Sequence, residues 1–297
     1  MRHSLVIKSF LLLSSTILIG CTEGNHKKPV NEVTVAKKLR KKLGKNETTK
    51  PDLLKQPVAG KPFINGHGIL MKWIPPGSFL MGKGTNHDAE RPVHRVHIKN
   101  GFWISATEIT QEQYEKVMGN NPSKVKAKDH PVESVDWLTA NRFCNKLQAL
   151  EWKLKRSSLK YVYRLPSEAQ WEYCCRAGTT GVRYLEPVDE IAWHEGNSGK
   201  KHHRVAKKKA NAFGLHDMLG NVSEWCADGF HRSYVGAPTD GSPWMKGMLK
   251  GDYVTRGGHY DANSHFCTAY FRRFFWQVNA KLAFNGFRVV LVPRKWK

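Results

Sequence analysis

The chain has 297 residues, of which 40% are hydrophobic, and its 48 basic against 25 acidic residues give a formal net charge of +23. That length accommodates one large domain or two small ones with a sizeable core. No Cys-x-x-Cys pair, internal repeat or bilayer-spanning apolar run occurs, which argues against a structural zinc site, a repeat array and a transmembrane protein.

Taken in chain order, Arg2 and Lys8 flank the start of an apolar run, Phe10 to Ile19, that is interrupted by Ser14, Ser15 and Thr16. The run sits where the apolar region of an export signal belongs and ends in Leu18-Ile19-Gly20-Cys21, which looks like a bacterial lipobox. Residues 1–21 are therefore expected to be a lipoprotein signal peptide, with Cys21 the lipidated first residue of the mature protein; a buried N-terminal helix is the plainer alternative. Acyl chains on Cys21 would hold an exported protein on the cell envelope, and Thr22 in place of Asp favours an outer membrane where there are two. Residues 22–62 are Lys-rich, poor in aromatics and punctuated by Pro29, Pro51, Pro57 and Pro62, which reads as a basic flexible tether. Up to Lys61 there are 13 basic and 4 acidic residues, which leaves 35 and 21 beyond. The domain expected over 63–297 is thus itself strongly basic.

Within that domain, Ile69–Ile74 and Ser78–Met81 read as short strands around the Pro75-Pro76-Gly77 turn, and Val93–Ile104 as one further strand. Thr110 with Gln113 forms a capping-box pattern, predicting a helix through Met118. After Asp136, the residues Trp137, Ala140, Phe143, Cys144, Leu147 and Leu150 keep a helical period. Ser167 with Gln170 starts a third helix that ends at Ala177, before Gly178. Beyond Gly178 the chain is long, irregular and rich in Gly, Asn, His and Trp, with short strands expected from Val222, Val254 and Phe287. Few helices, scattered strands and much loop predict an α+β fold.

The stretch Gly214-Leu215-His216-Asp217-Met218-Leu219-Gly220-Asn221-Val222-Ser223-Glu224-Trp225 is followed by Arg256-Gly257-Gly258 and Gly286-Phe287-Arg288. Earlier come Gly77-Ser78-Phe79-Leu80-Met81-Gly82, Glu90-Arg91-Pro92, Glu108-Ile109-Thr110, Pro131-Val132 and the run Arg164 to Glu172. In this order, from about Phe63 to Pro293, they resemble the formylglycine-generating enzyme, or sulfatase-modifying factor, family. The resemblance implies a C-type-lectin-like fold of low regular content and, at family level, oxidation of a protein cysteine to formylglycine.

It also implies structural calcium at the side chains of Asp217 and Glu224 and the carbonyls of Gly220 and Val222, a donor set that suits a hard cation. Bonding of both carboxylates to nearby amides or arginines is the alternative. The family's reaction uses two cysteines after Arg-Gly-Gly to hold copper(I), which soft thiolates select. Those positions fall on Ala262 and Cys267, so the copper site is expected to be incomplete. Ser223 and His259 also replace the family's Trp and Ser. If the chain is catalytic, Cys267 is the expected centre, with His259 and Ser223 lining the pocket. The alternative is a non-catalytic, lectin-like binding module.

Of the cysteines other than Cys21, an odd five remain, and Cys174 and Cys175 are expected to pack rather than react. Phe274, Phe275, Trp276 and Gln277 stand where the resemblance implies a variable loop near the pocket. The cluster Lys200 to Lys209 has no interleaved aromatics for base stacking, so nucleic acid is not expected. It is either a solvated loop or, in an exported protein, a surface for an anionic polysaccharide. An exported protein substrate is the other expected partner, and a monomer the expected state.

Overall fold

Three helices start where polar side chains satisfy their first amides. Helix α1, Gln111–Met118, begins at Thr110, whose hydroxyl accepts from the Gln113 amide while the Gln113 side chain accepts from Thr110, and Gly119 ends it in a left-handed turn. Helix α2, Trp137–Lys153, begins at Asp136, which accepts from the Thr139 amide. Helix α3, Glu168–Arg176, repeats the reciprocal box with Ser167 and Gln170. The predicted α2 stripe is the buried one, with Ala140, Phe143, Cys144 and Leu147 all inside. The computed structural model describes residues 57–84, 87–154, 160–248, 251–275, 279 and 281–294, without the side chains of 274 and 275. All lie in one unit, Pro51–Lys297. The predicted signal peptide, Cys21 and most of the tether, together with Trp276 and Gln277, fall outside the described residues.

The strands are β1 (Phe63–Ile64), β2 (Leu70–Ile74), β3 (Gly77–Met81), β4 (His94–Ile98), β5 (Phe102–Ser105), β6 (Tyr161–Arg164), β7 (Ala192–Trp193), β8 (Leu219–Gly220), β9 (Ser223–Gly229), β10 (Tyr253–Arg256), β11 (Arg272–Phe275), β12 (Asn285–Gly286) and β13 (Val290–Pro293). They form a five-stranded sheet in the order β1-β2-β5-β13-β6, a four-stranded sheet in the order β11-β10-β9-β12, and two strand pairs, β3-β4 and β7-β8. The single strand expected over Val93–Ile104 is two strands in different sheets. Near the break, a Cβ on Gly101 would come within 2.2 Å of Trp73, so the backbone there passes against a ring that any side chain would displace. Likewise β2 and β3 flank the Pro75-Pro76 turn without pairing: β2 pairs with β5 and β3 with β4.

Two hydrophobic clusters fill the interior. One joins α1 and α2 to the large sheet through Trp103, Tyr114, Phe143 and Phe287, with Tyr114 stacked on Phe143 at 5.5 Å. The other surrounds α3 and includes Trp171, Cys174, Cys175, Cys226 and Cys267. All five described cysteines are buried and free, and burial pushes the Cys175 thiol up to about 12. Cys174 and Cys175 thus serve packing, as expected. This mixed arrangement of few helices and small sheets is the α+β architecture predicted, with long loops carrying the segments of interest.

Candidate functional site

The segment 217–224 turns on left-handed residues: Asp217 (φ 53°), Gly220 (φ 75°) and Asn221 (φ 55°). Gly220 is obligatory, since a Cβ there would lie 2.3 Å from the Trp193 carbonyl oxygen. Asparagine is among the non-glycine residues that enter the left-handed region most readily. Asn221 Oδ1 accepts from the His203 amide at 2.8 Å, and its Nδ2 donates to Glu108 Oε2 at 2.9 Å. The Asn221 carbonyl accepts from Tyr260. One asparagine thereby ties together segments far apart in sequence.

This turn brings the two predicted carboxylates beside a third. Glu224 is held by Arg288, with Nε to Oε2 and Nη2 to Oε1 both at 2.6 Å, and Trp171 Nε1 donates to Oε2 at 2.8 Å. Asp217 Oδ2 accepts from the Ala206 amide at 2.6 Å, while Oδ1 is buried without a partner. Glu108 accepts from the Val222 amide at 3.1 Å. Burial pushes Glu108 well above the usual carboxylate range, reinforced by Asp217 and Glu224 and opposed by Arg288. Burial likewise raises Asp217 to about 6. Three buried carboxylates face one guanidinium, so protons or a cation must balance the remaining charge. Among the described residues, no group of three His, Cys, Asp or Glu converges as a metal-binding set.

The predicted reaction pocket lies past β10. Arg256 is structural: it pairs with Glu172 and with Glu168 (3.5 Å), and donates to the carbonyls of Ala269, Tyr270 and Phe271. Gly258 is the meeting point of the predicted pocket residues. Its carbonyl accepts from Ser223 Oγ at 2.9 Å, and a Cβ on it would lie 3.0 Å from Cys267 Sγ. His259, next in sequence, stacks on Phe284 at 4.1 Å and 14°. Cys267 is fully buried, and burial pushes its thiol up to about 12, with Arg183 opposing. Arg183 Nε donates to the Cys267 carbonyl at 2.8 Å. Burial, with Arg273 adding to it, lowers His259 to about 4. This cluster thus holds a neutral thiol and a neutral imidazole; Ala262, also buried, adds no donor.

Three features were missed by sequence reasoning. Glu108 stands in the sequence as one residue of a motif, with nothing to show that its buried carboxylate faces Asp217 and Glu224. The His130 and His202 rings meet edge-on, Nδ1 to Nδ1, at 2.9 Å. The basic stretch does not stand apart from the pocket: Ser198 Oγ donates to the Tyr260 carbonyl at 2.7 Å, and the Glu195 amide to the Ala262 carbonyl at 2.9 Å. The only local hint was the histidine-rich composition.

Known proteins match this fold and these motifs. Residues 67–292 match the family described as sulfatase-modifying factor enzyme 1-like domain. The chaperone protein LppX of Paenibacillus barcinonensis is 29% identical over 215 residues, covering 54% of this chain and 75% of LppX. The formylglycine-generating enzyme of Streptomyces coelicolor is 31% identical over 159 residues, 48% of this chain and 46% of that enzyme. The chain therefore spans less than half of that enzyme's length. The solved structure of PvdO from Pseudomonas aeruginosa superposes with a TM-score of 0.69 at 27% identity, covering 79% of this chain and 99% of PvdO. From the motifs, the fold and a family match over most of its length, the chain belongs to the sulfatase-modifying factor family.

Proposed function

We propose that this protein is a binding member of the sulfatase-modifying factor family, presenting a lectin-like loop surface from a lipid anchor at Cys21. The observation that carries the reading is the pair Ala262 and Cys267. A copper(I) clamp needs two thiolates, and the pocket offers one fully buried thiol whose proton is held by burial. One buried thiol and an alanine do not fit copper(I). The ligand of such a module is an exported protein or an anionic polysaccharide.

Family membership favours a second reading, oxidation of a protein cysteine to formylglycine, with Cys267 as its centre and His259 and Ser223 around Gly258. The deciding experiment supplies the full chain with calcium, Cu(I), oxygen and a sulfatase-type cysteine peptide. Mass spectrometry then looks for thiol converted to aldehyde, with a competent family enzyme alongside. We expect no conversion. Conversion that is abolished by Cys267→Ser would overturn the binding reading.

Calcium remains part of the proposal, as a brace for the loops. The unpartnered Asp217 Oδ1 and the surplus of buried carboxylates support it, whereas Glu224 is already engaged by Arg288. Asp217 would supply the side-chain oxygen, beside the Gly220 and Val222 carbonyls. Calcium should raise the melting temperature over that in chelator, and Asp217→Asn should remove most of the rise. Because the folded Asp217 titrates at about 6, the calcium effect should be full above that pH and fade as pH falls through it. Equal melting temperatures with calcium and chelator at pH 7.5 would exclude the brace.

A further inference from the structure

Two loops distant in sequence form one basic face. The Val205 amide donates to the Asp129 carbonyl at 3.1 Å, and Arg204 Nε lies 3.1 Å from Asp129 Oδ2. With the His130–His202 contact at 2.9 Å, three bonds join the loop 124–130 to the loop 198–209. Further bonds hold the second loop to the domain: His203 to Asn221, Ala206 to Asp217, and Ser198 to Tyr260. These bonds fix the backbones that carry Lys126, Lys128, Lys200, Lys201, Arg204 and Lys207, all of them exposed.

The stretch 200–209 divides in its charge pairing. Lys209 pairs with Glu190, and Lys208 Nζ donates to the Asp189 carbonyl. Arg204 has Asp129. Among the described residues, no carboxylate pairs with Lys128, Lys200, Lys201 or Lys207. A fixed surplus of four ammonium groups on neighbouring loops is a footprint for a polyanion. The aromatic content of the face narrows the class. Trp193 stacks on His203 at 3.8 Å, and Lys208 lies over the Trp193 ring at 3.8 Å. With that ring engaged, stacking on a nucleobase is disfavoured. The cations sit on loops rather than on a helix or strand of the kind that enters a duplex groove. The exposed apolar side chain in the first loop is Val125, without the Trp, Phe or Leu of a membrane-inserting surface.

We propose that the face built by loops 124–130 and 198–209 binds an anionic polysaccharide through its lysines, beside Gly258. This deepens the binding reading by assigning it a surface and a ligand class. The formylglycine assay decides that reading independently, so the two can fail separately.

The test uses the full chain and fluorescent heparin as the probe, at physiological ionic strength. Lys200→Glu/Lys201→Glu is compared with Arg95→Glu/Lys99→Glu, on β4 and just after it, which makes the same change in net charge. The face variant should lose about tenfold or more in affinity and show a shallower salt dependence, while the β4 variant stays within about threefold. On the unmodified chain, heparin should slow hydrogen exchange in 124–130 and 198–209, and neutral dextran should not. Equal losses in the two variants, or no loss in either, would overturn the proposal, as would exchange protection confined to residues 22–62. Binding to duplex DNA that is tighter than to heparin at matched charge, and that the face variant loses, would also overturn it and reassign the partner.

Discussion

Arg288 sits fully buried among Glu224, Glu108 and Asp217, and also donates to the carbonyls of Ser105, His216 and Asp217. Removing a buried ion's partner is far more costly than replacing the pair, because the survivor keeps its desolvation penalty. Arg288→Ala would leave Glu224 with only the Trp171 N–H among these partners, beside two further carboxylates. It should therefore destabilise the domain by about 3–5 kcal/mol, measured by urea unfolding. Replacing both partners, as Glu224→Leu/Arg288→Met, should recover part of the loss. A single-variant cost below about 1 kcal/mol would mean that the pair does not organise this turn. The same residues show why the centre was only half legible. Asp217 and Glu224 share one motif, but Glu108 reaches Asn221 across 113 residues and Arg288 reaches Asp217 across 71. No spacing rule spans such distances.

At the scale of elements, legibility followed the range of the interaction that fixes each one. The two capping boxes and the α2 stripe are settled within a few residues, and the three helices lie where Thr110, Asp136 and Ser167 place them. Strand division is settled across the fold. Nothing local in Val93–Ile104 reveals that Gly101 must pass against Trp73 and that β4 and β5 take different partners. The motif at Arg256-Gly257-Gly258 points to the residues that meet at Gly258, Ser223 and Cys267 among them, but nothing local reveals the complete burial of Cys267. Thr110→Ala offers a clean test of the local half. It removes the acceptor for the Gln113 amide while Gln113 can still bond the backbone, and should cost about 1 kcal/mol. Because α1 packs Tyr114 on Phe143, the loss should appear in global unfolding rather than as fraying of α1. Unchanged unfolding midpoints would show that the cap contributes nothing that packing does not already supply.

Across the whole molecule, burial of titratable groups in long loops sets a pH balance with opposing signs. His202 and His259 are lowered to about 4, chiefly by burial, with His130 adding for His202 and Arg273 for His259. Both are neutral in the folded chain at pH 5, whereas the unfolded chain takes up their protons below about 6.5. Their contribution is full above that pH and is lost as pH falls toward 4. Asp228 acts in the opposite sense. Burial, with Glu168 adding to it, raises it to about 7, so the folded state holds a proton that the unfolded state releases above about 4. That contribution is present at low pH and is lost as pH rises through 7. Asp217 and Glu108 carry the same sign. Between about pH 4.5 and 6.5 the imidazoles and carboxyls therefore oppose one another, and stability measured in chelator should change less with pH than either set alone would dictate. Removing the imidazoles exposes the carboxyl slope: His202→Asn/His259→Asn should lose stability steadily as pH rises through this window. Urea midpoints at pH 4.5, 5.5 and 6.5 decide the matter, since parallel pH profiles for the two proteins would mean that the buried histidines are not held neutral by the fold.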